Sequence, residues 1–367
     1  MELSDKGAER LHVGSGCDVK NPKITVLMPV HNGGSFIIES VNSILTQTFG
    51  DFEFLIVDDA STDQTVAYLQ DLKDPRIRLL KSAQRLHIAR ALNLGLDHAR
   101  GEWIARMDAD DISLPDRLSR QMDFLAKHPK VGLCGGRITY FGFNTDRFHG
   151  LPLSYDDVRS SALFDNPFTH PTVMMRKDLF EHYSLRYDPD FCPADDYDLW
   201  VRAMNHFPAM NMDRVLLRYR THKGSLTSAE WTDMDSHSYR IATRELKALG
   251  LDVDAETVRF HRNIGRIGNT EIRQIEDLRR AERWLNRILA ANDQTKHYPP
   301  EALRRAVGDV WYRVCYHAKT RGFETLRHYR RSPLRLLKSR DVKEYAAILK
   351  NALWSYLGDM FAQGRRN

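Results

Sequence analysis

The stretch "KITVLMPVHNGGSFIIESVNSILTQTFGDFEFLIVDDASTD" (residues 23–63) determines the predicted fold class. It opens with a short, nearly continuous apolar run, which is typical of a strand covered on both faces. "HNGG" breaks that run, apolar side chains then follow at helical spacing, and "FEFLIVDD" supplies a second strand. Strand, helix and strand in this order predict a parallel pair joined by a right-handed crossover.

The alternation continues along the first half of the chain. "STDQTVAYLQDL" predicts a capped helix, "RIRLLKS" a third strand, "IARALNLGLDHA" a third helix and "EWIARMDADD" a fourth strand. After Pro129 the pattern changes to one strand, "VGLCGGRITYFGF", and a mixed segment, and from about Trp231 it is almost wholly helical. We therefore predict an α/β fold, Rossmann-like, with a mostly parallel sheet flanked by helices and a C-terminal helical extension.

Length and composition suggest how the chain is divided. Its 367 residues suffice for two or three domains. We expect a flexible polar leader at residues 1–22, which lacks the apolar core of a signal peptide, then an α/β domain at 23–228 and a helical region at 229–367. The sequence contains no run of about 18 uncharged apolar residues, so we expect no membrane-spanning helix. Its four scattered cysteines form no CxxC pair, which argues against a zinc site or disulfide framework and indicates a reducing cytoplasm.

The positive charge is concentrated at the C-terminus. The net charge is +5, yet residues 321–367 alone hold eleven Lys/Arg against four Asp/Glu, a surplus of +7. Three interpretations stay open for this tail, which also carries Leu, Trp, Tyr and Phe. It is a packed helical segment with a solvated basic face, an amphipathic segment that binds an anionic membrane surface, or a nucleic-acid contact. No nucleic-acid motif supports the third.

Polar residues stand at three successive strand ends: "PVHNGG", "VDDASTD" and "MDADD". In open parallel sheets, ligands bind beyond the C-terminal ends of the strands. Each stretch alone fits a turn or a helix cap, but three of them in one sheet favour a shared binding crevice.

The third of these strand ends has the most specific chemistry. Asp108 and Asp110 are one residue apart, and two such carboxylates can hold Mg²⁺ or Mn²⁺ together with phosphate and water. Asp111 is expected to serve the turn into the helix after Pro115 as a cap. Neither GxGxxG after the first strand nor GxxxxGK[ST] is present, so a bound diphosphate would be held by a metal rather than by a glycine-rich loop.

Two further clusters have both a structural and a chemical interpretation. In "CPADDYDLWVRA", Asp195 and Asp196 precede a helical run, where acidic residues favour the helix dipole. If one of these two carboxylates lies in a partly closed pocket, it can instead act as a general base. In "YRTHKGSLTS", His222 is a metal ligand, a phosphate contact or a surface residue.

Taken together in this order, these stretches resemble the family 2 glycosyltransferases with the GT-A fold. The matched pieces are residues 26–65, "ALNLGLDHARGEWIARMDADDISLPDRL", "DDYDLWVRA" and "YRTHKGS", within residues 23–228. The resemblance implies an inverting transferase that uses a nucleotide-activated sugar, usually a UDP-sugar, with Mn²⁺ or Mg²⁺. It divides the catalytic domain into a donor half at 23–130 and an acceptor half at 131–228.

The resemblance also assigns roles to individual residues. Asp59 would meet the nucleobase, Asp110 the metal, and Asp196 would be the base, with Asp195 beside it. Residues implied in nucleotide-sugar binding are Pro29, His31, Asn32, Asp59, Arg90, Asp108 and Ala109. Asp108 and His222 would assist the metal, and His170 and Asn166 of "NPFTHPTVMMR" are candidates for contact with the acceptor or the donor sugar.

The chain departs from the family pattern at four places. His31 stands where many relatives carry Tyr, and "AQRLHIARALN" stands where many carry Asn-x-Gly. The base motif, usually Glu-Asp, is Asp195-Asp196, which keeps the second carboxylate. The QxxRW signature of processive synthases is absent, so we expect one sugar to be added per binding event.

The sequence therefore predicts a metal-dependent glycosyltransferase for a cell-envelope or surface glycan. We expect a glycan or lipid-linked acceptor, a cytoplasmic location with possible peripheral contact at the membrane, and no nucleic-acid partner. A nucleotidyltransferase is one alternative. It would be expected to carry a Gly-rich phosphate loop with Lys or Arg near the first strand, and "PVHNGG" does not provide one. A catalytically inactive scaffold is another, and the loss of Asp110 or Asp196 would have favoured it; both are present.

Overall fold

The computed structural model describes residues 8–11, 21–142, 151–222, 231–266, 272–318 and 322–335, with residues 348 and 350. Within these ranges the chain forms two compact units. The first comprises residues 1–158 and 166–237, and the second comprises residues 159–165 and 238–367.

A mixed sheet is the centre of the first unit. Its strands are β1 (Ala8–Leu11), β2 (Ile24–Val30), β3 (Phe52–Asp58), β4 (Ile77–Ser82), β5 (Trp103–Arg106), β6 (Ile112–Ser113), β7 (Leu133–Gly142), β8 (Met174–Arg176) and β9 (Ala209–Thr221). In the described residues these nine strands follow the spatial order β1-β4-β3-β2-β5-β8-β7-β9-β6.

Helices connect and cover these strands. They are α1 (Phe36–Leu45), α2 (Thr65–Asp71), α3 (His87–His98), α4 (Arg117–Lys127), α5 (Tyr155–Ser161), α6 (Lys177–His182) and α7 (Asp195–Ala203), with short 3-10 turns at His170–Thr172 and Pro189–Phe191. The predicted α/β class with flanking helices is confirmed.

The sheet mixes parallel and antiparallel pairs: β1 pairs antiparallel with β4 at one edge, and β7 pairs in parallel with β9. β2 pairs in parallel with β3 and β5, and β3 with β4, as the repeated strand-helix units predict. β8 pairs antiparallel with both β5 and β7, and β6 pairs antiparallel with β9. The sheet is therefore more mixed than predicted, because the later strands are not joined by regular crossover units.

The centre of the sheet is buried on both faces. Every residue of β2 and of β3 is buried, which explains why their sequences are almost uninterrupted apolar runs. Burial of one such aliphatic side chain contributes about 1.5–3 kcal/mol. Before β5 the backbone passes very close to β2, since a Cβ placed on Gly101 would lie 2.3 Å from the backbone nitrogen of Thr25. Only glycine fits there, and its N–H donates to Thr25 Oγ1 at 2.8 Å.

The second unit contains the C-terminal helices. They are α8 (Trp231–Ala248), α9 (Ala255–Gly265), α10 (Ile275–Thr295), α11 (Pro300–His317) and α12 (Gly322–Arg331). Its apolar core is built around Trp284 and Trp311. A buried polar group joins its elements: Glu245 accepts hydrogen bonds from Arg159 at 3.1 Å and from Tyr298 Oη at 2.8 Å. Most of the basic tail after residue 335 lies outside the described residues.

Candidate active site

The loops that follow β2 and β3 are tied together by Asn32. Its side-chain Oδ1 accepts from the Thr62 N–H at 2.8 Å, and its own N–H donates to Ser61 Oγ at 2.9 Å. Asn32 has a φ of 51°, a left-handed conformation that Asn tolerates better than most residues. His31 Nδ1 lies 2.8 Å from the Asp59 carbonyl oxygen, and Pro29 is buried within β2. The residues predicted to line the nucleotide loop thus form a rigid strand-end platform.

The Asp59 carboxylate is turned inward, towards the residues before and at the start of α3. Asp59 is only 3% exposed. It accepts from Arg85 Nη1 at 2.6 Å, from the Leu86 N–H at 2.5 Å and from the His87 N–H at 3.1 Å. Arg90 lies on α3 with its side chain exposed. A nucleobase contact by Asp59 stays a prediction, and it requires exchange of at least one of these donors.

Three carboxylates gather just after β5. One oxygen each from Asp108, Asp110 and Asp111 lies within 4.8 Å of the others. His222 Nε2 lies 2.9 Å from Asp110 Oδ2, and Ala109 is partly buried between the two flanking aspartates. Arg106 forms an ion pair with Asp108. Burial raises the pKa of the Asp108 carboxyl, although Arg106 opposes that rise, and burial with the neighbouring charges raises the pKa of Asp111 well above its ordinary value.

This cluster has the chemistry of a divalent-cation site. Hard oxygen donors suit Mg²⁺ and Mn²⁺, and an imidazole is compatible with Mn²⁺. In addition, Asp111 Oδ2 is buried without a hydrogen-bond partner among the described residues. Buried polar oxygens are normally satisfied. The residues present therefore fit a bound metal ion.

Two arginines that sequence reasoning missed fix the acidic loop. Arg220 Nε donates to the Asp110 carbonyl at 2.7 Å, and the Arg220 backbone N–H donates to Asp111 Oδ1 at 2.8 Å. The fully buried Arg117 donates from Nη2 to the Arg106 carbonyl at 2.8 Å. Burial lowers the pKa of Arg117 to about 10.

The expected capping role of Asp111 is wrong. α4 begins at Arg117 after Asp116, and no side-chain hydrogen bond caps it. Asp111 instead is only 1% exposed and holds the backbone of β9 through Arg220. Five residues separate Asp111 from the first residue of the helix, which places its carboxylate out of capping position.

A second acidic pair begins α7. Asp196 Oδ2 accepts from Asn166 Nδ2 at 2.8 Å, and Asp196 Oδ1 accepts from the Tyr197 N–H at 2.6 Å. Burial raises the pKa of Asp196 to about 6, against these hydrogen bonds. Burial and the neighbouring Asp196 raise the pKa of Asp195 to about 7. A carboxyl group with a pKa near 6 can accept a proton at neutral pH and return it readily.

His170 lies close to this pair, with most of its side chain buried. Its side chain is 15% exposed, and its Nδ1 lies 3.9 Å from Asp196 Oδ2. Its Nε2 lies 2.9 Å from the Tyr187 hydroxyl. Burial and the charge of Arg106 lower the pKa of His170 well below its ordinary value, so the ring is neutral.

The structure thus brings the predicted residues into separate groups. Asp108, Asp110 and His222 meet at one point, and Asn166, His170 and Asp196 meet at another. Arg106 acts electrostatically on both groups, since its positive charge opposes the raised pKa of Asp108 and of Asp196 alike. The sequence signal for this role of Arg106 was a cationic residue at the end of the otherwise apolar strand "WIAR".

The mixed sheet, with acidic residues following its central strand β5, has the architecture expected of a GT-A fold. The profile of Glycosyl transferase family 2 matches residues 25–184. The putative glycosyltransferase EpsE of Bacillus subtilis (strain 168) is 33% identical over 221 residues, which cover 58% of this chain and 77% of that protein. The chain belongs to glycosyltransferase family 2.

Other relatives agree with that assignment. The O-antigen biosynthesis glycosyltransferase WbnJ of Escherichia coli is 29% identical over 230 residues, covering 59% of this chain and 87% of that protein. Among solved structures, the mannosyltransferase PcManGT from Pyrobaculum calidifontis, in complex with GDP-Man and Mn²⁺, superposes with a TM-score of 0.52 at 20% identity. The match covers 91% of this chain and 88% of that one, and it supports the fold. In the part of the chain that the structure describes, no helix is both long and apolar enough to cross a membrane.

Proposed function

We propose that this protein is an inverting, metal-dependent glycosyltransferase that moves a sugar from a nucleotide-sugar to a hydroxyl of a glycan or lipid-linked acceptor. The observation that carries this proposal is Asp196, a largely buried carboxylate with a pKa of about 6, in the same unit as the Asp108–Asp110–Asp111 cluster. Family membership supplies the reaction class, and the relative WbnJ, named for O-antigen biosynthesis, supports an envelope glycan as product.

The donor would bind to the strand-end platform of the half formed by residues 23–130. Pro29, His31 and Asn32 would shape its floor, Arg90 would face the nucleoside, and Asp59 would contact the nucleobase after exchanging one of its present donors. Asp108 and Ala109 would lie against the ribose and diphosphate. We keep a UDP-sugar as the first donor to test because it is usual in this family, although PcManGT was solved with GDP-Man.

The metal would be held by Asp110 and Asp108, with His222 and Asp111 beside them. When bound, a divalent ion supplies positive charge that stabilises the leaving diphosphate. Arg220 and Arg106 keep the carboxylates in place through the Asp110 carbonyl and the Asp108 ion pair. Because these contacts already order the loop of residues 108–111, metal binding would cost less conformational entropy than it would in a flexible loop.

Asp196 would perform the proton transfer. It removes the proton from the acceptor hydroxyl as that oxygen attacks the anomeric carbon from the face opposite the nucleotide. The bond to the diphosphate breaks in the same displacement, so the anomeric configuration inverts. Burial, with a smaller contribution from the negative charge of Asp108, keeps the pKa of Asp196 above its usual range, and the charge of Asp196 in turn raises the pKa of the 4% exposed Asp195.

The remaining aspects of the proposal concern organisation. Residues 131–228 would form the acceptor half and residues 229–367 a helical region. Addition would be non-processive, and the basic tail after Arg321 would bring the enzyme to an anionic membrane surface that carries lipid-linked acceptor. Deletion from Arg321 onward should reduce binding to vesicles of phosphatidylglycerol but not of phosphatidylcholine. Equal binding by full-length and shortened protein would reject the membrane role.

The direct test of the donor is a panel of UDP-, GDP- and dTDP-sugars with and without MnCl₂. We expect one nucleotide-sugar to raise the melting temperature in Mn²⁺ and to be hydrolysed slowly to the nucleoside diphosphate. The alternatives predict other results. A nucleotidyltransferase would release pyrophosphate from a nucleoside triphosphate, and an inactive scaffold would bind nucleotide without turnover.

A further inference from the structure

The environment of the Asp196 carboxylate contains an imidazole that the proposed reaction has not used. Asn166 and the Tyr197 N–H already donate to its two oxygens. His170 approaches Oδ2 from a third direction, with Nδ1 at 3.9 Å. That distance is too long for a direct hydrogen bond, but it is short enough for a charge-dipole interaction or a single bridging water.

His170 is held in place by aromatic neighbours. Its ring centroid lies 5.8 Å from that of Trp200, in an edge-on arrangement, and 5.5 Å from that of Tyr187, in a tilted one. Tyr187 itself is 1% exposed. Asn93 of α3 fixes the Tyr187 backbone on both sides, accepting from its N–H at 2.9 Å and donating to its carbonyl at 2.8 Å. A ring clamped in this way has little freedom to turn.

The contact with the Tyr187 hydroxyl is compatible with two tautomers of the His170 ring. Burial raises the pKa of Tyr187 well above its ordinary value, so the phenol keeps its hydrogen and is able to donate it. It lies 2.9 Å from His170 Nε2. When the phenol donates to Nε2, the neutral ring carries its own hydrogen on Nδ1, which is the nitrogen that faces Asp196. The other tautomer would direct a lone pair at an ionised carboxylate.

We propose that Tyr187 and His170 are positioning residues for the base: Tyr187 fixes the imidazole tautomer so that the His170 Nδ1–H faces Asp196 and stabilises its ionised, proton-accepting form. This inference rests on the proposed role of Asp196. It assigns His170 to the support of the Asp196 base rather than to a contact with the sugar. The arrangement parallels other catalytic groups whose orientation depends on a hydrogen bond one residue further away.

Other charges act on Asp196 from the neighbouring elements. Arg106 of β5 favours its ionised form, whereas Asp108 after β5 disfavours it; Asp195 of α7 is the adjacent titratable group, and its own pKa is raised by Asp196. These charges remain unchanged when Tyr187 or His170 is altered. A shift of the Asp196 pKa measured in such variants therefore reports the Tyr187–His170 contact with Asp196 and not a change in the acidic clusters.

Four variants separate positioning from simple packing. Tyr187→Phe removes the hydroxyl and keeps the ring, and His170→Leu removes the Nδ1 donor. His170→Asn keeps an amide N–H close to where Nδ1 stood. Tyr155→Phe is the matched control, since the Tyr155 hydroxyl donates to the Met204 carbonyl at 3.2 Å and does not contact the base group.

The first readout needs no turnover: the Asp196 pKa, followed by carboxyl ¹³C NMR between pH 4 and 9 in the full-length protein, with Asp196→Asn for assignment. We expect the pKa to rise in Tyr187→Phe and further in His170→Leu, to return towards wild type in His170→Asn, and to stay unchanged in Tyr155→Phe. An unchanged Asp196 pKa in both Tyr187→Phe and His170→Leu would overturn the proposal.

The second readout is the pH profile of kcat with the donor found in the nucleotide-sugar panel. The acid limb should move upward with the Asp196 pKa, and kcat below pH 7 should fall by about tenfold while the donor KM stays within about twofold. An equal loss at all pH values would mean that the residues act only by packing. If the Asp196 pKa shifts in these variants but Asp196→Asn keeps full turnover, the positioning role of Tyr187 and His170 is supported and the assignment of Asp196 as the base is wrong.

Discussion

Replacement of Arg220 by alanine should loosen the acidic loop without removing any predicted metal ligand. Arg220 Nε donates to the Asp110 carbonyl at 2.7 Å, and its guanidinium lies 4.6 Å from the Phe36 ring centre and 4.4 Å from that of Phe141. The ion pair with Glu39 adds little, because Glu39 is 60% exposed. The backbone N–H that binds Asp111 survives the substitution.

The size of the effect follows from these contacts. A charge-assisted hydrogen bond contributes about 1.5–3 kcal/mol and each partly exposed cation–π contact about 0.5–1 kcal/mol. Arg220→Ala should therefore lower the free energy of unfolding by about 2–4 kcal/mol, allowing for incomplete additivity. For a unit of this size that corresponds to a melting temperature lower by roughly 4–16 °C. Manganese affinity should fall by about tenfold, as for other residues that orient metal ligands.

Arg218→Ala is the matched control for this prediction. Arg218 lies on the same strand with its guanidinium 4.6 Å from the Phe141 ring centre, but it is exposed. Thermal unfolding without metal and calorimetric titration of Mn²⁺ with nucleoside diphosphate measure the two effects. If Arg220→Ala and Arg218→Ala behave alike in both assays, the idea that Arg220 orders the metal loop is wrong.

Three further predictions concern single carboxylates. Asp110→Asn should abolish Mn²⁺-dependent nucleotide binding while metal-free binding persists; unchanged Mn²⁺ dependence in calorimetry would remove Asp110 from the metal site. Asp59→Ala leaves two N–H groups without an acceptor, while the 42% exposed Arg85 guanidinium can be hydrated, so it should destabilise the protein by about 2–4 kcal/mol in chemical denaturation; a loss of nucleotide affinity with normal stability would contradict the structural role. The pKa of Asp195 is raised from 3.8 to about 7, so the stability it contributes is fully present below pH 3.8 and is lost as the pH rises to about 7. Asp195→Asn should therefore unfold at a higher temperature than wild type at pH 8, and in melting curves the difference should narrow as the pH falls and vanish only near about pH 4.

Much of the fold was predictable because the strands of the first half are strongly patterned. β2 and β3 are buried along their whole length, and their sequences show it directly. The antiparallel insertion of β8 was not predictable, because Met174–Arg176 is only three residues long. Its pairing with β5 and β7 depends on distant chain segments that no local pattern records.

The sequence indicates groups of residues that lie close together in the chain, but it does not indicate residues that meet only in space. Asp108 and Asp110 are neighbours in the chain, and their meeting with Asp111 followed from local geometry. Arg220 is separated from Asp110 by 110 residues, and no spacing rule joins them. No local sequence feature marks Tyr187, since its proposed role depends on one hydroxyl contact with His170.

The central claim is that Asp196 is the base. Asp196→Asn keeps the size of the side chain and leaves an acceptor oxygen for the Asn166 amide. The decisive measurement is single-turnover transfer by Asp196→Asn beside calorimetric binding of the donor in Mn²⁺. We predict wild-type donor affinity and transfer reduced by at least about 10²-fold, the contribution typical of a general base. Transfer at the wild-type rate, with donor binding intact, would contradict the account.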